Sequence, residues 1–224
     1  MWPAIALSLE LATVTTLALL LLGVPLAWVL ARADGFWGEA ASAVVALPIV
    51  LPPTVIGFYL LILLGPNGPI APLLGLRTLA FSFTGLVIGS VIYSLPFMVQ
   101  PVRNAFRALG PAPWEAALTL RARPLDAFFS VALPLAQGGI LTGIILSFAH
   151  TLGEFGVVLM LGGNIPGATR TLSISLYDLV QDGNYAAANR TALLLVGISL
   201  AALLVIYLVP GFRKMDGRQV DVVR

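Results

Sequence analysis

An all-α membrane protein, a polytopic helical bundle with about five transmembrane helices, is the fold class this sequence predicts. Three observations carry that expectation: a shortage of charge, apolar blocks long enough to cross a bilayer, and a one-sided distribution of Lys and Arg. Hydrophobic residues fill 59% of the 224 positions and charged residues only 10%, and the mean hydropathy is +1.00. A soluble globular domain carries roughly 25% charged and 45–50% apolar residues, so this chain cannot clothe a water-facing surface. Its net charge of +2 is spread thinly between apolar blocks. That pattern fits a lipid bilayer and gives no stripe for nucleic acid. Without cysteine, the sequence offers no disulfide, thiol nucleophile or thiolate metal site.

The hydrocarbon core of a bilayer, about 30 Å thick, takes about 20 apolar residues per helix. Blocks at about residues 4–30, 41–65, 81–102, 132–161 and 191–209 meet that length, and with their loops they make a single transmembrane domain over 1–224. Only Glu10 and Pro25 interrupt the first block. It is too long for a cleavable signal peptide, and its basic neighbour, Arg32, follows it instead of preceding it. Arg32 lies in the first loop, Arg103, Arg107, Arg121 and Arg123 in the third, and Arg213, Lys214, Arg218 and Arg224 in the tail. Only Arg77, Arg170 and Arg190 fall in the second and fourth loops. The bias puts the odd loops and the C-terminus in the cytoplasm; an odd number of spans then leaves the N-terminus outside.

Inside the spans, Leu51-Pro52-Pro53-Thr54, Ser94-Leu95-Pro96 and Gly138-Gly139 interrupt helical regularity. Such breaks are tolerated where protein or a wet cavity satisfies the freed carbonyls, so they mark either a pathway between helices or plain kinks. Between Pro166-Gly167 and Asp182-Gly183, Leu172, Leu176, Leu179 and Val180 recur at helical spacing. They predict a short amphipathic helix at the outer face.

The third loop, residues 111–134, predicts two short helices meeting at a corner. Glu115 stands in the first turn after Pro113, where a negative charge suits the helix dipole. Pro124 suits the first position of the second helix, with Asp126 in its opening turn. Ala116 and Ala117 keep one face small enough for another protein to approach, and Pro134 closes the segment. Read from these residues alone, the loop is also compatible with ordinary interfacial helices.

Glu115-Ala116-Ala117, three residues before a corner at Arg121, with Val131 and Leu133-Pro134 after a further nine residues, resembles the EAA loop of ABC importer permeases. In that family the loop docks into a groove on a cytoplasmic ATPase subunit and passes ATP-driven closure to the membrane helices. The resemblance thus implies ATPase coupling for Glu115, Ala116, Ala117, Arg121, Leu133 and Pro134. The family's corner residue is usually Gly; an Arg held left-handed there costs about 1 kcal/mol. Either the corner is reshaped or the basic side chain contacts the ATPase.

Leu51-Pro52-Pro53-Thr54-Val55-Ile56-Gly57, the stretch from Ser147 to Gly156, and Gly163-Asn164-Ile165-Pro166-Gly167 with Thr169-Arg170-Thr171-Leu172 are similar to motifs of molybdate permeases. The likeness covers nearly the whole chain. It implies a subunit forming the translocation pathway for molybdate, or for tungstate, driven by ATP hydrolysis on a partner. A sulfate- or tungstate-specific permease is the nearest alternative, and a stand-alone channel or secondary transporter a more distant one. It also implies a homodimer in a bacterial-type inner membrane, two cytoplasmic ATPase subunits and an extracytoplasmic molybdate-binding protein. The sequence has no P-loop, so a transport subunit and not an enzyme is expected, with no cofactor of its own and with ATP and Mg on the partner.

His150 and Glu154, four apart, are expected on one face of the fourth span, and ionisable residues inside a membrane are functional candidates. Glu154 would repel an anion and is read, with Asn164, as a tie at the bundle or dimer interface. Thr54, Ser147, His150 and Thr151 are candidates along the pathway, with Arg170 at its outer mouth. Their hydroxyls serve equally well as helix-packing groups.

Overall fold

A computed structural model describes residues 2–73 and 75–208; the basic tail from Arg213 to Arg224 lies outside the described residues. The described elements are helical. Helix α1 spans Trp2–Arg32. It is followed by α2 (Gly35–Val50) and α3 (Pro53–Leu64), whose axes turn by 107° at Leu51-Pro52. The single span expected at 41–65 is therefore two helices. A residue before proline is pushed out of the helical region, and Leu51 and Pro52 sit at ψ 138° and 134°, so the paired prolines stop one helix and start the next.

A short α4 (Ile70–Leu73) leads to α5 (Phe83–Leu109), where Ser82 caps the first turn by accepting from the Gly85 amide at 3.1 Å. Helix α5 runs through Pro96 and Pro101 and on past the expected end near 102. The third loop forms α6 (Ala112–Thr119), α7 (Pro124–Ala127), a π-helical turn (Phe128–Ala132) and α8 (Leu133–Leu135). Pro134 does not close this segment. It lies inside the short helix, and the chain turns by 73° only after it, at Ala136, into α9 (Gln137–Gly153). The block expected as one span at 132–161 breaks a second time at Glu154-Phe155, before α10 (Gly156–Gly162). Helix α11 (Leu172–Gln181) is the short amphipathic element, and α12 (Tyr185–Leu208) closes the described chain. Three helices, α1, α5 and α12, are long and apolar enough to cross a membrane, and five spans result if each bent pair counts as one.

Helices α1, α5 and α9 share the main core, in which Leu19, Val24 and Ala27 pack on Met98, Val99 and Val102. Without neighbouring water to expel, membrane helices associate by close packing of small residues. Gly23 and Gly143 sandwich Met98: a Cβ on either would stand 2.8 Å from its side chain. At Gly139 the approach is tighter, 2.4 Å from the Ala105 Cβ and 2.6 Å from the Pro101 carbonyl. A second core joins α3 to α10 through Ile56, Leu60, Val157 and Leu161. Helix α11 is pinned to α1 where the Leu172 amide donates to the Ser8 hydroxyl at 2.7 Å. Val44, Val50, Leu193 and Val196 stay exposed on α2 and α12, as apolar surface offered to a bilayer or a partner would be.

Gly139→Val forces a side chain into the α5 backbone and should cost about 1–3 kcal/mol, read as a lower unfolding midpoint in detergent. Gly197→Ala, which meets nothing within 4 Å, should leave the midpoint unchanged or raise it; equal loss in both variants would contradict the packing account.

Candidate functional site

The two breaks that split the second and fourth blocks face each other. Gly156 lets the start of α10 press against the start of α3, since a Cβ there would come within 2.8 Å of the Pro53 Cβ. Beside this contact opens a cleft of about 540 Å³ whose lining includes Thr54, Tyr93, His150 and Glu154. His150 does not hang free in it. Its Nδ1 is hydrogen-bonded to the Ser94 hydroxyl at 2.9 Å, and its ring stacks on Phe97 at 3.9 Å with Tyr93 at 4.9 Å. The same Ser94 hydroxyl meets the Thr151 hydroxyl at 3.0 Å. One serine of α5 thus anchors two side chains of α9, a role that the Ser94-Leu95-Pro96 break did not suggest.

The expected pathway residues separate here. Thr54 and His150 line the cleft, whereas Ser147 and Thr151 are buried against the bundle and do not. Glu154 lies just beyond the end of α9 with an extended backbone (ψ 132°) and so does not share a helical face with His150. Both nonetheless reach the same cleft. Glu154 is 4% exposed, neither carboxyl oxygen has a hydrogen-bond partner, and Ser90 and Tyr93 stand nearby.

Arg170 is at the far end, in the loop before α11, and its charge is engaged. The Arg170 Nε donates to the Asn164 Oδ1 and stands 3.5 Å from Asp178, while the Asn164 amide donates to both Asp178 oxygens at 2.9 Å. This triad fastens the Gly163–Gly167 loop, whose glycines take φ 65° and 75°, onto α11.

At the opposite end the corner of the third loop is a Schellman cap. Arg121 has φ 65°; its amide donates to the Leu118 carbonyl at 2.9 Å and the Ala122 amide donates to the Ala117 carbonyl at 3.1 Å. Arg121 therefore keeps the left-handed conformation that glycine would take, and the corner is not reshaped. Ala117 turns into the chain while Ala116 faces out, and Leu120, Leu125 and Phe129 around the corner are 84%, 74% and 61% exposed.

Sequence reasoning missed the clasp behind this corner. The Arg32 guanidinium lies 3.2 Å from the Trp28 ring centre and 4.1 Å from that of Trp114. Trp28 meets Phe106 edge-on at 4.9 Å and Phe128 at 5.1 Å. Each cation–π contact at such a site contributes about 0.5–1 kcal/mol. Trp28 and Arg32, four apart at a helix end, were the available signal. Nearby, Glu39 accepts from Arg103 at 3.1 Å and from Arg107 at 2.9 Å, tying α2 to α5.

Comparison with known proteins places this geometry. Residues 23–214 match the family described as binding-protein-dependent transport system inner membrane component. The chain is 56% identical over 207 residues to the molybdenum transport system permease protein ModB of Azotobacter vinelandii, covering 91% of this chain and 92% of that one. It is 38% identical over 210 residues to the protein of the same name from Escherichia coli K12, covering 91% of each. In fold it is similar to a bacterial alginate ABC transporter solved with an alginate pentasaccharide-bound periplasmic protein. There the TM-score is 0.74 and the identity 18%, over 91% of this chain and 76% of that one. It is similar also to the inward-facing MetNI methionine ABC transporter, with a TM-score of 0.69 and 18% identity over 91% of each chain. With a family match spanning most of its length, this helical chain belongs to the binding-protein-dependent transport system inner membrane components.

Proposed function

We propose that the chain is the permease subunit of an ABC importer for molybdate, with tungstate as a second cargo, in the inner membrane of a bacterial-type cell. The observation that carries the reading is the 56% identity to a molybdenum transport permease over 91% of the chain. The working assembly is two copies of this chain, two ATPase subunits that hold ATP and Mg, and an extracytoplasmic molybdate-binding protein. The single transmembrane domain, 1–224, carries no cofactor of its own. The corner of residues 111–134 faces the cytoplasm with the C-terminus, and the N-terminus is outside, in accord with the Lys and Arg bias.

Coupling falls to Glu115, Ala116, Ala117, Arg121, Leu133 and Pro134. The exposed Leu120 and Leu125 supply apolar area beside them, so that binding the ATPase removes this surface from water. The pathway passes the cleft, where the Thr54 hydroxyl and the His150 ring present polar groups to a passing oxyanion, and Ser147 and Thr151 set the helix that carries His150. Arg170 offers the anion a cation at the outer mouth only in competition with Asp178. Glu154 and Asn164 hold structure, Glu154 at the α9–α10 break and Asn164 in its triad. Such weak, spread-out contacts suit conduction, which requires that the substrate leave; affinity resides in the binding protein.

In the reconstituted complex, ATP hydrolysis should rise when the binding protein is loaded with molybdate or tungstate and stay basal with sulfate. Equal stimulation by sulfate would remove the molybdate assignment, and transport by this chain in vesicles without ATPase would indicate a channel. Arg121→Gly should raise stability by about 1 kcal/mol and weaken ATPase binding no more than about fivefold, the worth of one exposed ion pair, whereas Leu120→Asp should weaken it about tenfold or more; full binding by both variants, measured by co-purification, would place the docking surface elsewhere. His150→Leu should slow uptake about tenfold with ATPase binding unchanged, because a single hydrogen bond to the passing anion is worth about that much. Unchanged uptake would move the pathway away from the cleft.

A further inference from the structure

We infer that Arg32, packed against both Trp28 and Trp114 where the two indoles meet, is a positioning residue that holds the contact tying the coupling segment to helix α1 and so passes its movement to the bundle. The inference rests on the reading of residues 111–134 as the ATPase-coupling segment. A cavity of about 450 Å³ lies between that segment and the bundle, bordered by Trp28, Arg32, Phe106, Pro111, Trp114 and Val131. A void leaves few atoms to transmit displacement, because close packing is what makes a protein interior stiff. At the rim of this void the two indoles meet edge-on with centres 5.0 Å apart, and the Arg32 guanidinium packs against both, at 3.2 Å from Trp28 and 4.1 Å from Trp114.

Trp114 sits on α6 one residue before Glu115, and Trp28 and Arg32 sit one turn apart at the end of α1. Trp28 also meets Phe106 on α5 and Phe128 in the π-helical turn. A push on α6 therefore reaches α1 and α5 through one aromatic cluster centred on Trp28, with the Arg32 cation against it. The chemistry asks for arginine: its broad, weakly hydrated guanidinium can lie against two rings set at 64° to each other, while a lysine ammonium is a compact point charge that stays hydrated.

The test uses the complete complex in proteoliposomes and reads ATP hydrolysed per molybdate imported. Arg32→Ala and Trp114→Ala should retain the ATPase subunits and basal hydrolysis, but use about tenfold more ATP per ion, a coupling loss of ordinary size. Trp114→Phe keeps an aromatic face and should return the ratio to within about twofold of the parent, and Arg32→Lys should fall between. An unchanged ratio in both alanine variants overturns the inference. So does a loss that follows dissociation of the ATPase, since the clasp would then serve assembly alone. A parent complex that imports no molybdate would overturn the transport reading and this one with it.

Discussion

Backbone amides and carbonyls within a bilayer need partners, because no water is available to supply them. In this chain two interior segments, Leu51-Pro52 and Glu154-Phe155, leave the helical conformation, and much of the architecture follows from housing them. The segments lie side by side because α3 and α10 pack through glycines, with Gly57 against Met160 and Gly156 against Pro53. The start of each of these helices is thereby packed on the other. The packing is incomplete on one side, and the gap is the cleft bordered by Thr54, His150 and Glu154. Helix α5 supplies the opposite wall through Tyr93, and its position is set by the seating of Met98 between Gly23 and Gly143.

The helical class, the apolar blocks and the two short helices of the third loop were legible because they rest on local quantities: hydropathy, proline placement and a helix-start carboxylate at Glu115. The long helices α1 and α5 follow from composition almost alone. Less legible was whether a proline bends a helix or ends it. Pro96 and Pro101 are carried inside α5, whereas Pro52 and Pro53 turn the chain by 107°. Consecutive prolines remove two donors and exclude the residue before them from the helical region, which separates the two cases. The break at Glu154 has no proline, and it is followed by Gly156, whose missing side chain lets α10 press against Pro53 of α3. Pairing across the sequence was likewise invisible: nothing local tells that Ser94 would hold both His150 and Thr151, or that Asp178 would engage Arg170.

Arg121 shows how a departure from a family pattern is accommodated. A left-handed residue with a Cβ is unfavourable by about 1 kcal/mol, yet the two cap hydrogen bonds from Arg121 and Ala122 are both made. Each such bond contributes about 0.5–1.5 kcal/mol, enough to offset the strain, so the helix-corner-helix shape survives the substitution. What changes is the surface, since a long cation now projects from the tip beside exposed Leu120 and Leu125. On the proposed reading, the corner keeps its cap geometry while presenting a cation to the ATPase.

The two ends of the molecule use charge differently. At the Arg170 end, cation, amide and carboxylate close on one another, so the charge fixes a loop and leaves little net attraction for an anion. At the Arg32 end the guanidinium is held by aromatic faces without a carboxylate in the clasp, and two further arginines share the single Glu39. Arg121 and Arg123 stand at the same end, so arginines gather where the third loop lies, interspersed with Asp34, Glu39, Glu115 and Asp126. A bias in Lys and Arg, largely irrespective of the acidic residues beside them, is what retains one side of a membrane protein against crossing. On the proposed reading, the bias that orients the chain also places cations on the side where the oxyanion is released.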